Sequence, residues 1–198
     1  MCGPLTAEPA RLLLVCYGKR EGLPVKKHFA FSAVLTGLLL LCGCSRDSTD
    51  HLKAVTPFDP AQYMGRWYEI ARYPHRFEKD LYDVTADYAP ARNGRVNIRN
   101  RGITASGTVR EIEGTAYLPD TNTGLLRVSF FRPFYGDYKI IFLEKDYSGA
   151  IVTSGTMNFL WILARKKTLT PEKKRKYLET IRDSGFDPAR LEWVRRTE

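Results

Sequence analysis

Two segments far apart in the chain constrain its fold more than any other feature. Gly65-Arg66-Trp67-Tyr68-Glu69-Ile70-Ala71-Arg72 reads as a strand entered through a glycine, with a tryptophan at its start. Phe159-Leu160-Trp161-Ile162-Leu163-Ala164-Arg165 reads as a second strand, bulky and apolar until it ends in one arginine. An arginine stacked over an indole face gains roughly 0.5–2 kcal/mol, depending on desolvation. A Trp67–Arg165 pair would lock the first strand of a sheet to a late one, and such a sheet closes on itself. Trp67 alone would read as an ordinary core tryptophan; the late arginine gives it a second meaning.

The sequence between these segments alternates with the period of strands. Val84, Ala86 and Tyr88 fall on one face against Thr85 and Asp87, and Pro90 to Gly94 makes a turn. Val96 and Ile98 share the next inward face against Asn97 and Arg99. Residues 108–118 alternate more loosely, 119–124 turn, and 125–131 form another strand. Tyr138, Ile140 and Phe142 then alternate against Lys139, and 150–153 complete the series. Short strands with tight turns and no intervening helices predict an antiparallel sandwich or an up-and-down barrel.

One helix breaks the pattern near the end. Thr170 suits the N-cap, Pro171 the first helical position, and Glu172 the N-terminal dipole. Tyr177, Leu178 and Ile181 make a narrow apolar stripe, Gly185 is placed to end the helix, and Leu191 to Trp193 supply a last short strand.

Gly65-x-Trp67 together with the late Arg165 resembles the lipocalin family, whose Gly-x-Trp motif and arginine close the bottom of a ligand-holding barrel. Phe58-Asp59, the run from Tyr63 to Arg72, His75-Arg76-Phe77-Glu78, Val128 to Gly136 and Leu160-Trp161-Ile162-Leu163 extend the likeness across essentially all of Cys44 to Glu198. Gly136 stands where the family's second motif, Thr-Asp-Tyr, has its threonine; Asp137 and Tyr138 match. The resemblance implies an all-β fold: an antiparallel up-and-down eight-stranded barrel with one C-terminal helix packed outside. Gly65, Trp67 and Arg165 would then be the closure residues, with Tyr68 and Ile70 under the helix.

Upstream of the barrel lies an export signal. Lys26, Lys27 and His28 precede an apolar run from Phe29 to Leu41, about a dozen residues against the roughly 20 that span a bilayer. That length suits the apolar region of a signal peptide. The run ends in Leu41-Cys42-Gly43-Cys44, which resembles the bacterial lipobox and makes Cys44 the lipidated residue. Ser45 follows it, where an aspartate would mark inner-membrane retention, so the resemblance implies the outer membrane with the domain in the periplasm. Residues 1–24 stand outside this scheme, and the expected start of translation is Val25. The chain thus divides into 1–24, an upstream extension; 25–43, the lipoprotein signal; 44–57, a polar and flexible lipidated tether; and 58–198, the barrel domain.

Charge and cysteine content narrow the function. Removing residues 1–43 takes five basic and two acidic side chains from totals of 31 and 22, leaving a charge of +6 over 155 residues. The basic run from Arg165 to Lys176 reads as a solvated helix face, and no nucleic-acid motif accompanies it. All four cysteines lie at or before Cys44, so the domain has neither disulfide nor pocket thiol. No metal or cofactor site is expected. His75 is the only histidine beyond position 51, and a lone histidine in the loop after the first strand reads as a packing group rather than a base. A binding protein is therefore expected rather than an enzyme, with a lipid-modifying enzyme and a purely structural envelope protein as the competing classes.

Eight strands leave room for one small ligand. The expected lining is Val84, Ala86, Tyr88, Val96, Ile98, Tyr138, Ile140, Phe142, Phe159 and Trp161. These walls suit an acyl chain, held by about 0.8 kcal/mol per buried CH₂. The family resemblance points to a fatty acid or lysophospholipid. The oligomeric state stays open between monomer and homodimer.

Overall fold

The computed structural model describes residues 47–76 and 78–197, so the signal segment and Cys44 lie outside the described residues. Nine antiparallel strands follow a short helix α1 (Pro60–Tyr63): β1 (Gly65–Arg72), β2 (Tyr82–Pro90), β3 (Arg95–Ile103), β4 (Val109–Tyr117), β5 (Leu125–Phe131), β6 (Phe134–Leu143), β7 (Gly149–Thr153), β8 (Leu160–Ala164) and, after helix α2 (Pro171–Asp183), β9 (Glu192–Trp193). Each strand from β2 to β8 pairs with its sequence neighbour, β8 pairs with β1, and β1 returns to β2. The first eight strands thus close into the expected all-β barrel, and β9 adds to β1 from outside.

Closure makes β1 change partners along its length. Gly65 to Tyr68 pair with β2, whereas Tyr68 to Arg72 pair with β8. Where β1 leaves β2, the C-terminal chain fills the gap: Val194 donates its N–H to Ile70 and Asp83 donates to Arg195. Backbone groups at that seam are satisfied rather than left as an open edge.

Two apolar layers share the sheet. Trp67, Ala86, Tyr88, Val96, Ile98, Leu126, Ile140, Val152 and Leu163 fill the barrel. Ile70, Tyr73, Ile151, Leu160 and Ile162 pack outward with Tyr177, Ile181 and Phe186 from the helical side. β7 and the end of β8 are buried on both faces, which is why they read as unbroken apolar runs rather than alternating strands. The helix begins as its sequence indicates: Thr170 Oγ1 accepts the Lys173 N–H at 3.3 Å, and Pro171 occupies the first turn. It ends at Gly185, whose φ of +84° lets the Phe186 N–H reach back to the Ile181 carbonyl at 3.1 Å.

Residues 47–57, expected as flexible tether, instead form a strap against the barrel. Met157 donates to the Asp47 carbonyl at 2.7 Å, and Thr49 Oγ1 donates to Ser154 O at 2.6 Å. Buried Lys139 gives its ammonium to Thr49 O at 2.7 Å, and Val55 donates to Ile140 O at 2.9 Å. Val55 also fills the space over Gly124. The polar composition that suggests a free linker here supplies the hydroxyl and backbone partners for β6 and the β7–β8 loop.

Candidate ligand-binding site

The closed end is built around Arg165. Its guanidinium carbon lies 3.9 Å from the centroid of the Trp67 ring. The same group donates to the carbonyls of Arg66 (2.7 Å), Gln62 (2.9 Å), Met64 (2.8 Å) and Tyr63 (3.1 Å). Those of Gln62, Tyr63 and Met64 are carbonyls that a helix as short as α1 leaves without internal partners. Arg165 thus caps α1 while covering Trp67, whose own N–H donates to Tyr63 O at 2.8 Å. Gly65 enters β1 with φ +93° beside the Arg165 Nη1 group, a backbone conformation that a side chain would strain.

Above this floor, three phenols meet inside the barrel. The hydroxyls of Tyr63 and Tyr138 lie 2.7 Å apart, and Tyr88 donates to Tyr138 at 2.8 Å. Burial pushes all three well up from the ordinary phenol range, so they remain neutral hydrogen-bonding groups. Val84, Ala86, Val96, Ile98 and Ile140 are buried along the walls around them. Trp161 joins the same layer, and Phe159 stacks on it at 5.8 Å with 14° between the planes.

Phe142 does not line the interior. The β6–β7 register shifts between Ile140 and Phe142, so this residue packs instead on the Tyr177 ring of α2, 5.3 Å away, beneath the Lys176 ammonium. A bulge changes which face a side chain occupies, and simple alternation counted from Tyr138 cannot see it. A similar shift between Glu69 and Ala71 in β1 sends both Ile70 and Ala71 toward the helix.

The open end carries charge that the apolar reading missed. Glu69, on the same face of β1 as Trp67, is buried, and Arg72 donates to its Oε1 at 2.6 Å. Arg72 also donates to the carbonyl of Glu78, in the β1–β2 loop, at 2.6 Å. The Glu78 carboxylate receives the Trp161 N–H at 3.2 Å and lies 2.9 Å from His75 Nε2. His75 in turn packs against both Phe159 and Trp161, with centroids 5.6 and 5.7 Å away. Burial, and then the neighbouring Glu78 charge, push the Glu69 carboxyl well above its usual range against the pull of Arg72. Burial also works against the Glu78 carboxylate, but His75, the Trp161 N–H and Arg72 outweigh it and hold that group below its usual range. The sequence signal was present: counting by twos from Trp67 puts Glu69 inside.

Chemically, the barrel interior combines apolar walls, neutral phenols in its depth and a mixed acid–base cluster toward the end opposite Arg165. His75 packs against the rings of Phe159 and Trp161 and faces the Glu78 carboxylate. Among the described residues, no group of three histidine, cysteine or acidic side chains could hold a metal ion.

Comparison with known proteins agrees with this architecture. Residues 58–196 match the model of the lipocalin-like domain family. Outer membrane lipoprotein Blc of Escherichia coli K12 is 38% identical over 167 residues, covering 83% of this chain and 94% of that protein. Its Vibrio cholerae counterpart is 38% identical over 161 residues, covering 80% and 94%. Among solved structures, insecticyanin from the tobacco hornworm Manduca sexta superposes with a TM-score of 0.62 at 19% identity, covering 74% of this chain and 85% of that one. The insecticyanin likeness speaks to the fold alone. The Blc relatives place the chain among lipid-anchored outer-membrane lipoproteins. By the extent of the domain match and of these identities, the chain belongs to the lipocalin family.

Proposed function

We propose that this lipoprotein holds a single-chain amphiphile, a fatty acid or lysophospholipid, inside its barrel and carries or stores it for maintenance of the cell envelope. The observation that supports this most is the gradient inside the calyx. Val84, Ala86, Val96, Ile98 and Ile140 offer acyl-chain contacts in the depth, whereas Glu69, Arg72, His75 and Glu78 gather where a polar head would emerge. Tyr88, Tyr138, Phe159 and Trp161 complete the proposed lining, and Phe142 is withdrawn from it. Cys44 is the proposed site of acylation, since one acyl chain anchors marginally while two or more anchor stably.

Native mass spectrometry of residues 46–198 tests the binding. Copurifying or titrated lipid at one molecule per chain supports it, and an empty barrel that ignores both lipid classes would favour a purely structural protein. Turnover of lysolipid by the purified domain, abolished by His75→Ala, would favour an enzyme instead. Incorporation of a palmitate analogue into the wild type but not Cys44→Ala tests the anchor.

A further inference from the structure

Tyr88 and Tyr138 stand on opposite walls of the barrel. Their strands, β2 and β6, are separated by β3, β4 and β5 in one direction and by β1, β8 and β7 in the other. Even so, the Tyr88 hydroxyl donates to the Tyr138 hydroxyl at 2.8 Å, with the ring centroids 6.0 Å apart. The two side chains therefore meet across the interior and form a bar. Tyr63 supports the bar from α1: its hydroxyl lies 2.7 Å from that of Tyr138, and its ring meets the Tyr88 ring edge-on at 5.5 Å.

Burial inside the barrel changes at the level of this bar. β1 leaves the floor at Gly65, beside Arg165, so β2, β6 and β8 run toward the floor and β5 runs away from it. On β6 the side chains pass from partly to fully buried between Tyr138 and Ile140. On β5, whose Leu126 is paired in register with Tyr138, the change falls between Val128 and Leu126. On β8 it falls between Trp161 and Leu163. The base below is packed core, and the interior surface that stays accessible lies on the Trp161 side. An alkyl chain descending from that side meets three mutually bonded phenols. Passing between them would separate the Tyr88–Tyr138 bond and leave buried hydroxyls without partners, while the space behind is already filled.

We propose that the Tyr88–Tyr138 bar sets the depth of the ligand cavity, and with it the longest straight chain that the barrel takes with full gain in affinity. This rests on the proposed binding of a single-chain amphiphile and adds a length limit to it. Within that reading, Val96 and Ile140, on the floor side of Tyr88 and Tyr138, back the bar rather than meet the chain. Selection by length then comes from two hydroxyls on opposite strands, well above the Arg165 floor.

Titration calorimetry of the purified protein with straight saturated fatty acids, from octanoate to stearate, tests the limit. In the wild type, Kd should fall about fourfold per added CH₂ up to one length and then level off. Tyr138→Leu withdraws one half of the bar. Tyr88→Phe keeps its ring and loses only the bond across the barrel, so it serves where the leucine variant does not fold. In either variant the levelling should move to longer chains. The first acids past the wild-type limit should bind about fourfold more tightly per extra CH₂ than they do to the wild type. A limit unmoved in a folded variant overturns the proposal. So does a uniform loss of affinity at every length, which is what destabilisation alone would give, and so does a wild type whose affinity climbs steadily through stearate. Each of these results leaves the lipid-binding reading standing. A wild type that binds no acid of any length removes that reading and this inference together.

Discussion

Gly149 is the seat for the Tyr177 ring. A Cβ built on this β7 glycine would overlap the Tyr177 hydroxyl and lie 3.0 Å from the ring's Cζ. Helix α2 can approach the barrel wall this closely only because the strand offers no side chain there. Gly149→Ala should lift the helix and lower stability by about 1–3 kcal/mol, the range for overpacking a filled core. Urea denaturation checks this, and an unchanged midpoint would mean the helix shifts without cost.

Trp67 and Arg165 should behave as one unit. Trp67→Ala removes a fully buried ring and should cost roughly 3–5 kcal/mol. Arg165→Ala frees the carbonyls of Gln62, Tyr63 and Met64 as well as the indole face, and should cost less. The two changes touch one another, so a double-mutant cycle should show coupling of about 0.5–3 kcal/mol. Zero coupling would separate the cap on α1 from the closure of the barrel.

The two mouth carboxylates should respond to pH in opposite directions. Glu69 has a folded-state pKa raised above its unfolded value near 4.5, so its stabilising contribution is present below that value. That contribution is lost as pH rises through the folded pKa. Glu78 has a depressed folded pKa, so its contribution is present above 4.5 and lost as pH falls through the folded value. Relative to wild type, Glu69→Gln should flatten the decline on the alkaline side of 4.5, whereas Glu78→Gln should flatten the decline on the acid side. Denaturation midpoints measured across pH for all three proteins provide the check, and identical profiles would mean neither group is shifted.

Ligand entry should be visible at Trp161. Its ring joins the interior layer and its N–H is held by Glu78, so an acyl chain or head group arriving beside it changes its surroundings. Oleate or lysophospholipid should alter tryptophan emission in the wild type and not in Trp161→Phe. Trp193 lies outside the barrel beneath Lys174 and should contribute little. A response that survives Trp161→Phe would move the ligand elsewhere. Trp161→Glu should weaken binding by facing the chain with an unpaired charge.

What the sequence revealed follows from where parity holds. Val84 to Tyr88 and Val96 to Ile98 alternate without interruption, and their buried positions follow directly from counting by twos. β7 and β8 hide their parity because both faces are buried, yet counting back by twos from Arg165 reaches Leu163 and Trp161, which do pack in the interior layer. Counting failed at Phe142, where an irregular register between Ile140 and Phe142 puts the ring on the helix side, and no alternation in the sequence marks that shift. Within the charged cluster Glu69 was legible by parity, but its loop partner was hidden for a different reason. Glu78 reaches Arg72 and Trp161 from a loop, and a loop's trajectory across a barrel mouth has no periodicity to read.

The strap from Asp47 to Pro57 also has a mechanical meaning. Any tension on the chain ahead of Asp47 enters at the rim, where the Asp47, Thr49 and Lys139 bonds take it before it can reach α1 and the floor. Those bonds hold the strap along the outside of the barrel, so a pull in line with the strap loads several of them together, in shear. A pull away from the wall instead peels them one at a time. The barrel should therefore tolerate lateral drag on its attachment better than lifting, and the first part to yield should be the strap, with the calyx still closed behind it.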